Sequence, residues 1–246
     1  MQNVLFRDLG NLDYLSAWNY QEELLQKNVQ VKTIINKELL TAEADRPFVA
    51  APDRPSTNNY FLLLEHPPVY TLGKSGKMEH ILITAEEMNK RKIDFFKTNR
   101  GGDITFHGPG QLVGYPILDL EKFYKDIGRY LRELEEVVIR TIAEYGLIGE
   151  RSPGETGVWL EPSVLANARK ICAMGVRCSR WITMHGFALN VKTDLEYFNN
   201  IVPCGIQNKQ VTSMQKEVSR PIEMEDVKQK IKRNFQEVFN VSLETF

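Results

Sequence analysis

Arg100-Gly-Gly-Asp-Ile-Thr-Phe-His-Gly-Pro-Gly-Gln-Leu-Val-Gly-Tyr115 is the densest unusual segment of the chain, with Gly101, Gly102, Gly108 and Gly110 flanking Thr105 and His107. Glycine tolerates positive φ and lets backbone approach closely, so such a stretch can wrap a ligand and aim amide N–H groups at it. Composition alone favours a plainer reading, a Gly-rich turn between two strands. A nucleotide-phosphate loop is excluded, because neither GxxxxGK[ST] nor a GxGxxG following a strand is present.

Working outward, residues 112–120 and 93–96 read as β-type runs on either side of this segment. Tyr60-Phe-Leu-Leu-Leu-Glu65 is a continuous apolar run ended by His66-Pro67-Pro68, a buried strand stopped by proline, with residues 69–72 as its continuation past the kink. Further runs at 157–160, 169–176 and 181–191 complete the strands, the last two as neighbours. A first helix is carried by Tyr14, Leu15, Trp18, Leu24 and Leu25 over 14–30. A second spans 123–145, its stripe running from Phe123 through Ile127, Leu131, Leu134 and Val138 to Tyr145 and ended by Gly146. Pro221 opens a third, with Val227, Ile231, Phe235 and Val238 inward. Periodicity is lost from Asn36 to Asn59, and the Pro- and Asn-rich stretch at about 38–58 is expected to be a mobile loop. Helices and strands without βαβ alternation indicate an α+β fold: a mixed, largely antiparallel sheet with packed helices.

The chain has 246 residues, 42% hydrophobic and 26% charged, which suits one globular domain over 1–246 and disfavours disorder and coiled coil. A formal net charge of −1 leaves no global field to draw nucleic acid or an acidic membrane. The N-terminus has no secretory pattern and no stretch of about 20 apolar residues exists, so a cytoplasmic protein is expected. Cys172, Cys178 and Cys204 form no CxxC pair and leave one over if two were bridged, which argues for a free thiol and against structural zinc. No metal site is expected from the histidines, which lack a second ligand at metal-like spacing. Lys90-Arg-Lys92, with Lys97 and Arg100 beyond, is the best local positive patch.

Among the thiols, Cys172 sits in an apolar run where cysteine packs as a small hydrophobe, whereas Pro203-Cys204-Gly205 is turn chemistry that exposes a side chain. A period of two would place Lys170 and Cys172 on one strand face, so that pair stays open as an alternative. His66 and His80 read as structural or solvated groups. His107 either lines a pocket or holds the Gly-rich loop.

The Arg100–Tyr115 pattern closely resembles the signature of the lipoyl(octanoyl) transferases. The resemblance continues, in order, in Leu64-Glu-His-Pro-Pro-Val-Tyr-Thr-Leu-Gly73, Gly157-Val-Trp159, Arg169-Lys-Ile-Cys-Ala-Met-Gly-Val176, His185-Gly-Phe-Ala-Leu-Asn190 and Ile201-Val-Pro-Cys-Gly-Ile206. Two departures are the longer stretch near 38–58 and Cys172, where a small residue is more usual. The resemblance implies the biotin/lipoate protein ligase catalytic fold. It also implies transfer of an octanoyl or lipoyl group from acyl carrier protein to the ε-amine of a lysine. The acceptors would be lipoyl domains of 2-oxoacid dehydrogenases and the glycine cleavage H protein, and no cofactor would be needed. Carried over by position, Cys204 is the acyl-thioester nucleophile and Lys170 activates it. Arg100, Gly101, Gly102, Asp103, Ile104, Thr105, Phe106 and His107 bind substrate, together with Ala173, Met174, Gly175, Gly186, Phe187 and Ala188. The chemistry is sound on its own terms: a thiol near pKa 8.5 is only a few per cent thiolate at neutral pH, and a nearby ammonium raises that fraction. Three competing readings are an ATP-dependent lipoate or biotin ligase, a non-catalytic acyl-carrier-binding module, and a cysteine hydrolase that releases free octanoate.

Overall fold

The computed structural model describes residues 1–41, 55–202 and 210–246, with the side chains of 38–41 set aside. Cys204 and most of the 38–58 stretch lie outside the described residues.

Eleven strands are described: β1 (Gln2–Asn11), β2 (Asn59–Glu65), β3 (Val69–Leu72), β4 (Asp94–Lys97), β5 (Ile104–His107), β6 (Gln111–Ile117), β7 (Val158–Leu160), β8 (Arg169–Ser179), β9 (Ile182–Asn190), β10 (Gln210–Val211) and β11 (Val241–Thr245). The main sheet runs β10-β8-β9-β6-β2-β1-β11, with β7 also on β8. Its centre, from β8 to β2, is antiparallel, and its β1 and β11 flank is parallel. β6 and β9 are buried along their whole length, as strands covered on both faces must be. Residues of β2 alternate between two cores. Phe61 and Leu63 meet α3 (Ile127–Ala143) and α5 (Met224–Phe239) through Leu134, Val138, Ile231 and Phe235. Tyr60, Leu62 and Leu64 meet α1 (Tyr14–Thr41) through Leu24 and Leu25. This is the α+β arrangement that the pattern of elements indicates.

The second sheet, β4-β3-β5, changes the reading of the proline kink. Residues 69–72 do not extend β2; after His66-Pro67-Pro68 the chain leaves the main sheet and starts the small one. Proline has no N–H to give a ladder, so the crossing falls there. The small sheet has its own core of Tyr70, Leu72, Ile104, Phe106 and Ile201. The segment Gly108-Pro109-Gly110 then crosses back, from β5 in the small sheet to β6 in the large one. Gly110 has φ +81° and a Cβ there would lie 2.6 Å from the Lys192 carbonyl oxygen, so only glycine fits the crossing.

Several boundaries move. α1 continues to Thr41, well past the loss of apolar periodicity at Asn36, because Lys, Glu and Leu are good helix formers that need no buried stripe. The second helix starts at Ile127 behind an Asp126 cap, with Phe123 left in the preceding turn. The third starts at Met224, three residues after Pro221. Two short helices, α2 (Ala85–Lys90), closed by a Thr84–Glu87 capping box, and α4 (Met214–Val218), complete the set.

Candidate functional site

A cavity of about 720 Å³ opens beside β8 and β9 and under the Gly-rich segment. Its roof is Arg100 to Thr105 together with His107, and its wall is Ala173 to Val176 of β8 and His185 to Ala188 of β9. Lys170 lines it at the start of β8. Of the fifteen described residues assigned to the site from sequence, Phe106 alone is not on the cavity wall. It is buried in the small core, where its ring stacks on Tyr197 at 4.4 Å.

The roof is held down by backbone contact. The Gly101 amide donates to the Val176 carbonyl at 2.9 Å, and a Cβ on Gly175 would lie 2.7 Å from the Gly101 oxygen. A side chain at Gly175 would lift the roof from β8. Arg100 is 7% exposed and donates to the Thr71 carbonyl at 2.5 Å, the Thr71 hydroxyl at 2.9 Å and its neighbour's carbonyl at 3.0 Å. It therefore ties the roof to β3 and contributes nothing to a surface patch. Lys90, Arg91, Lys92 and Lys97 remain exposed.

A chain of donors runs from Arg100 through the interior. The Thr71 hydroxyl faces His107 Nε2 at 3.4 Å, and His107 Nδ1 meets Gln111 Oε1 at 2.7 Å. Gln111 Nε2 donates to Asn190 Oδ1 at 2.9 Å, and Asn190 Nδ2 to the Thr212 carbonyl at 3.0 Å. Since Gln111 Nε2 is a donor, its Oε1 must accept, which places the His107 proton on Nδ1. Burial, followed by the nearby His66 and Arg100, holds the His107 pKa well below the ordinary histidine range. His107 is thus neutral with both ring nitrogens engaged. His185 is pushed down to about 3 by burial and by Arg100 and Arg177, and His66 to about 4 by burial.

Lys170, also on the cavity wall, lies 4.6 Å from the centre of the Trp159 ring. Its strand is flanked there by β7, with Trp159 opposite Lys170, and by β10, with Val211 opposite Lys170. The Lys170 carbonyl accepts from the Thr212 amide at 2.9 Å. Cys172 is removed from the open alternative. The β7–β8 register shifts between Cys172 and Lys170, breaking the period of two, and the thiol is fully buried in the main core. Burial pushes its pKa far up. Cys178 is half-buried, and burial raises its pKa as well.

The segment with Cys204 leaves and re-enters the described chain at the cavity. Val202 donates to the His80 carbonyl at 2.8 Å, and Gln210 donates to the Ala168 carbonyl at 3.2 Å. His80, Phe198 and Val211 all line the cavity. Sequence reasoning missed Tyr14, Ser75, His80, Gln111, Tyr115 and Asn190 as lining residues. Gln111, Tyr115 and Asn190 already stood within quoted motifs, while His80 carried no local signal.

Among the described residues there is no His/Cys/Asp/Glu group able to hold a metal ion and no helix long and apolar enough to cross a membrane.

Residues 13–236 match the model of the lipoyl protein ligase A/B catalytic domain. The chain is 53% identical to an octanoyltransferase of Christiangramia forsetii, over 98% of both chains. It is 52% identical to an octanoyltransferase of Flavobacterium johnsoniae, over 98% of this chain and 99% of that one. Among solved structures, the fold is similar to a bipartite lipoate protein ligase from Thermoplasma acidophilum, with a TM-score of 0.67, 16% identity and coverage of 100% of this chain and 88% of the other. It is also similar to a biotin protein ligase from Aquifex aeolicus, with a TM-score of 0.50, 12% identity and coverage of 96% and 70%.

Proposed function

Because the chain belongs to the lipoyl protein ligase A/B catalytic-domain family, among the octanoyltransferases, and is an acyltransferase, we propose that it moves an octanoyl or lipoyl group from acyl carrier protein to a lysine ε-amine. The acceptors would be lipoyl domains of 2-oxoacid dehydrogenases and the glycine cleavage H protein. The cycle runs through a thioester on Cys204 with Lys170 as its activator, and it needs no ATP because a thioester is already activated. The observation that carries this reading is the placement of Lys170. It stands on the cavity wall, opposite Val211 of β10, the strand into which the Cys204 segment returns.

In the first half-reaction the Cys204 thiolate attacks the carrier thioester and the carrier thiol leaves. In the second the acceptor amine attacks the enzyme thioester. An eight-carbon chain buries roughly six CH₂ groups, so at ~0.8 kcal/mol each the cavity supplies about 5 kcal/mol of acyl binding. For the oxyanion, the β8 amides are better placed than those of β9. Phe187 and Ala188 pair with both β6 and β8, whereas beyond Cys172 no described strand covers the outer edge of β8. Val176 turns its carbonyl to that edge, and by alternation the Met174 amide faces the same way. A donor of this kind contributes ~3 kcal/mol in other acyl-transfer sites.

Intact-mass spectrometry after mixing with octanoyl carrier protein, without ATP, tests the reading. A single octanoyl adduct is expected, lost in Cys204→Ser and retained in Cys172→Ser and Cys178→Ser. An adduct that survives Cys204→Ser, or one that requires ATP, refutes it.

A further inference from the structure

His80 and Asp103 form a second titratable pair on the cavity wall. His80 closes the 3-10 turn Met78–His80, and Asp103 stands just before β5. His80 Nδ1 lies 2.6 Å from Asp103 Oδ2, with the two side chains 17% and 11% exposed. The contact is short but is not a straight hydrogen bond, and Nδ1 is fully covered. The carboxylate is fixed from its other side: Oδ1 accepts from the Ile104 amide at 2.7 Å. Gly76 makes room for it, because a Cβ there would lie 2.8 Å from Oδ1. Nδ1 therefore faces a fixed anion, and Nε2 is engaged by no described residue.

The backbone of the same residue anchors the Cys204 segment. Besides the Val202 contact, Ile81 bridges Ile201 and the Leu82 amide donates to the Asn200 carbonyl at 2.9 Å. His80 is thus bonded to a residue two positions before the proposed nucleophile. An imidazole that lines an acyl cavity with a carboxylate beside one ring nitrogen is suited to act as a general base.

We propose that His80 is a catalytic base for the second half-reaction and that Asp103 is its positioning residue; this rests on the thioester reading above. The acceptor lysine arrives as an ammonium and gives one proton to His80 Nε2. Its nitrogen lone pair then forms the C–N bond at the thioester carbon. Collapse of the tetrahedral intermediate breaks the C–S bond, and the second nitrogen proton passes to the departing Cys204 sulfur. Amide, thiol and imidazolium result, and the imidazolium returns its proton to water. His107 cannot take this part, because both its nitrogens are spent in the interior chain.

Asp103 lies against His80, and on its own turn Lys77 and Glu79 pair with each other in solvent at 3.3 Å. From the 195–201 stretch, Phe198 and Ile201 lie on this side.

The test separates the two half-reactions in the full chain, using octanoyl carrier protein as donor and an isolated lipoyl domain as acceptor. His80→Gln is expected to form the acyl-enzyme at the wild-type rate but to pass it on about 100-fold more slowly at neutral pH. The loss should shrink at high pH, where hydroxide deprotonates the acceptor. Asp103→Asn should fold and shift the pH inflection of the transfer half-reaction. Equal loss in both half-reactions, or transfer at the wild-type rate in His80→Gln, overturns the proposal. If the wild-type protein forms no adduct at all, the thioester reading falls first and this one with it.

Discussion

Lys170 is a single amine set into a strand whose carbonyl, ring and ladder neighbours fix its position: Thr212 holds its oxygen, and Trp159 lies beneath its ammonium. Lys170→Ala keeps the backbone ladder, so it is expected to fold and to lose thioester formation at neutral pH, with partial recovery as pH rises. The check is the pH dependence of Cys204 alkylation, whose inflection should move upward in the variant. Superimposed curves would mean that Lys170 does not activate the thiol. His107 does not inherit the task, since its burial and its two bonds keep it neutral and occupied. The sequence left open whether His107 lines the pocket or holds the Gly-rich loop, and the partners of its ring come from tertiary structure alone.

The cavity wall depends on how closely β6, β9 and β8 stack. At Gly186, a Cβ would lie 2.1 Å from the Gly114 carbonyl oxygen and 2.8 Å from Pro116 Cδ. Gly186→Ala must therefore push β9 from β6, and overpacking of this kind costs ~1–3 kcal/mol. Denaturant unfolding should show that loss, together with slower acyl transfer from a displaced wall. Unchanged stability would show that the strands yield freely. The sequence marked Gly186 as a site residue without giving the reason, which is a contact between strands far apart in the chain.

Across the whole molecule, three histidines are buried in neutral form: His66, His107 and His185. In the unfolded chain each titrates near 6.5, while His66 is held at about 4 and His185 at about 3 in the fold. A depressed histidine pKa means that the unfolded state binds more protons between those values. Stability is therefore full above pH 6.5 and falls as pH drops toward the folded values. Between pH 6.5 and 5 each of these two groups removes about 2 kcal/mol. Thermal melting should show Tm falling steadily from pH 7 to 5, with a shallower slope in His66→Gln. A flat profile would mean that the interior admits the charged imidazole.

The sequence by itself determined the helix stripes, the central strands and the cavity-forming motifs, because apolar periodicity and glycine chemistry are local properties. It also carried the family, through motifs spread in order along most of the chain. Tertiary structure alone decided the rest. Whether residues 69–72 extend β2 or start a second sheet depends on which partners wait beyond the prolines, and β1 shows too little apolar alternation to be read without β2 and β11 beside it. Cys172 drops out because a register shift, invisible in a period of two, turns it into the core while Lys170 faces the cavity. His80 enters because a loop far along the chain brings Asp103 within 2.6 Å of it. These outcomes depend on contacts between distant residues, and such contacts are set by packing and register across the whole chain.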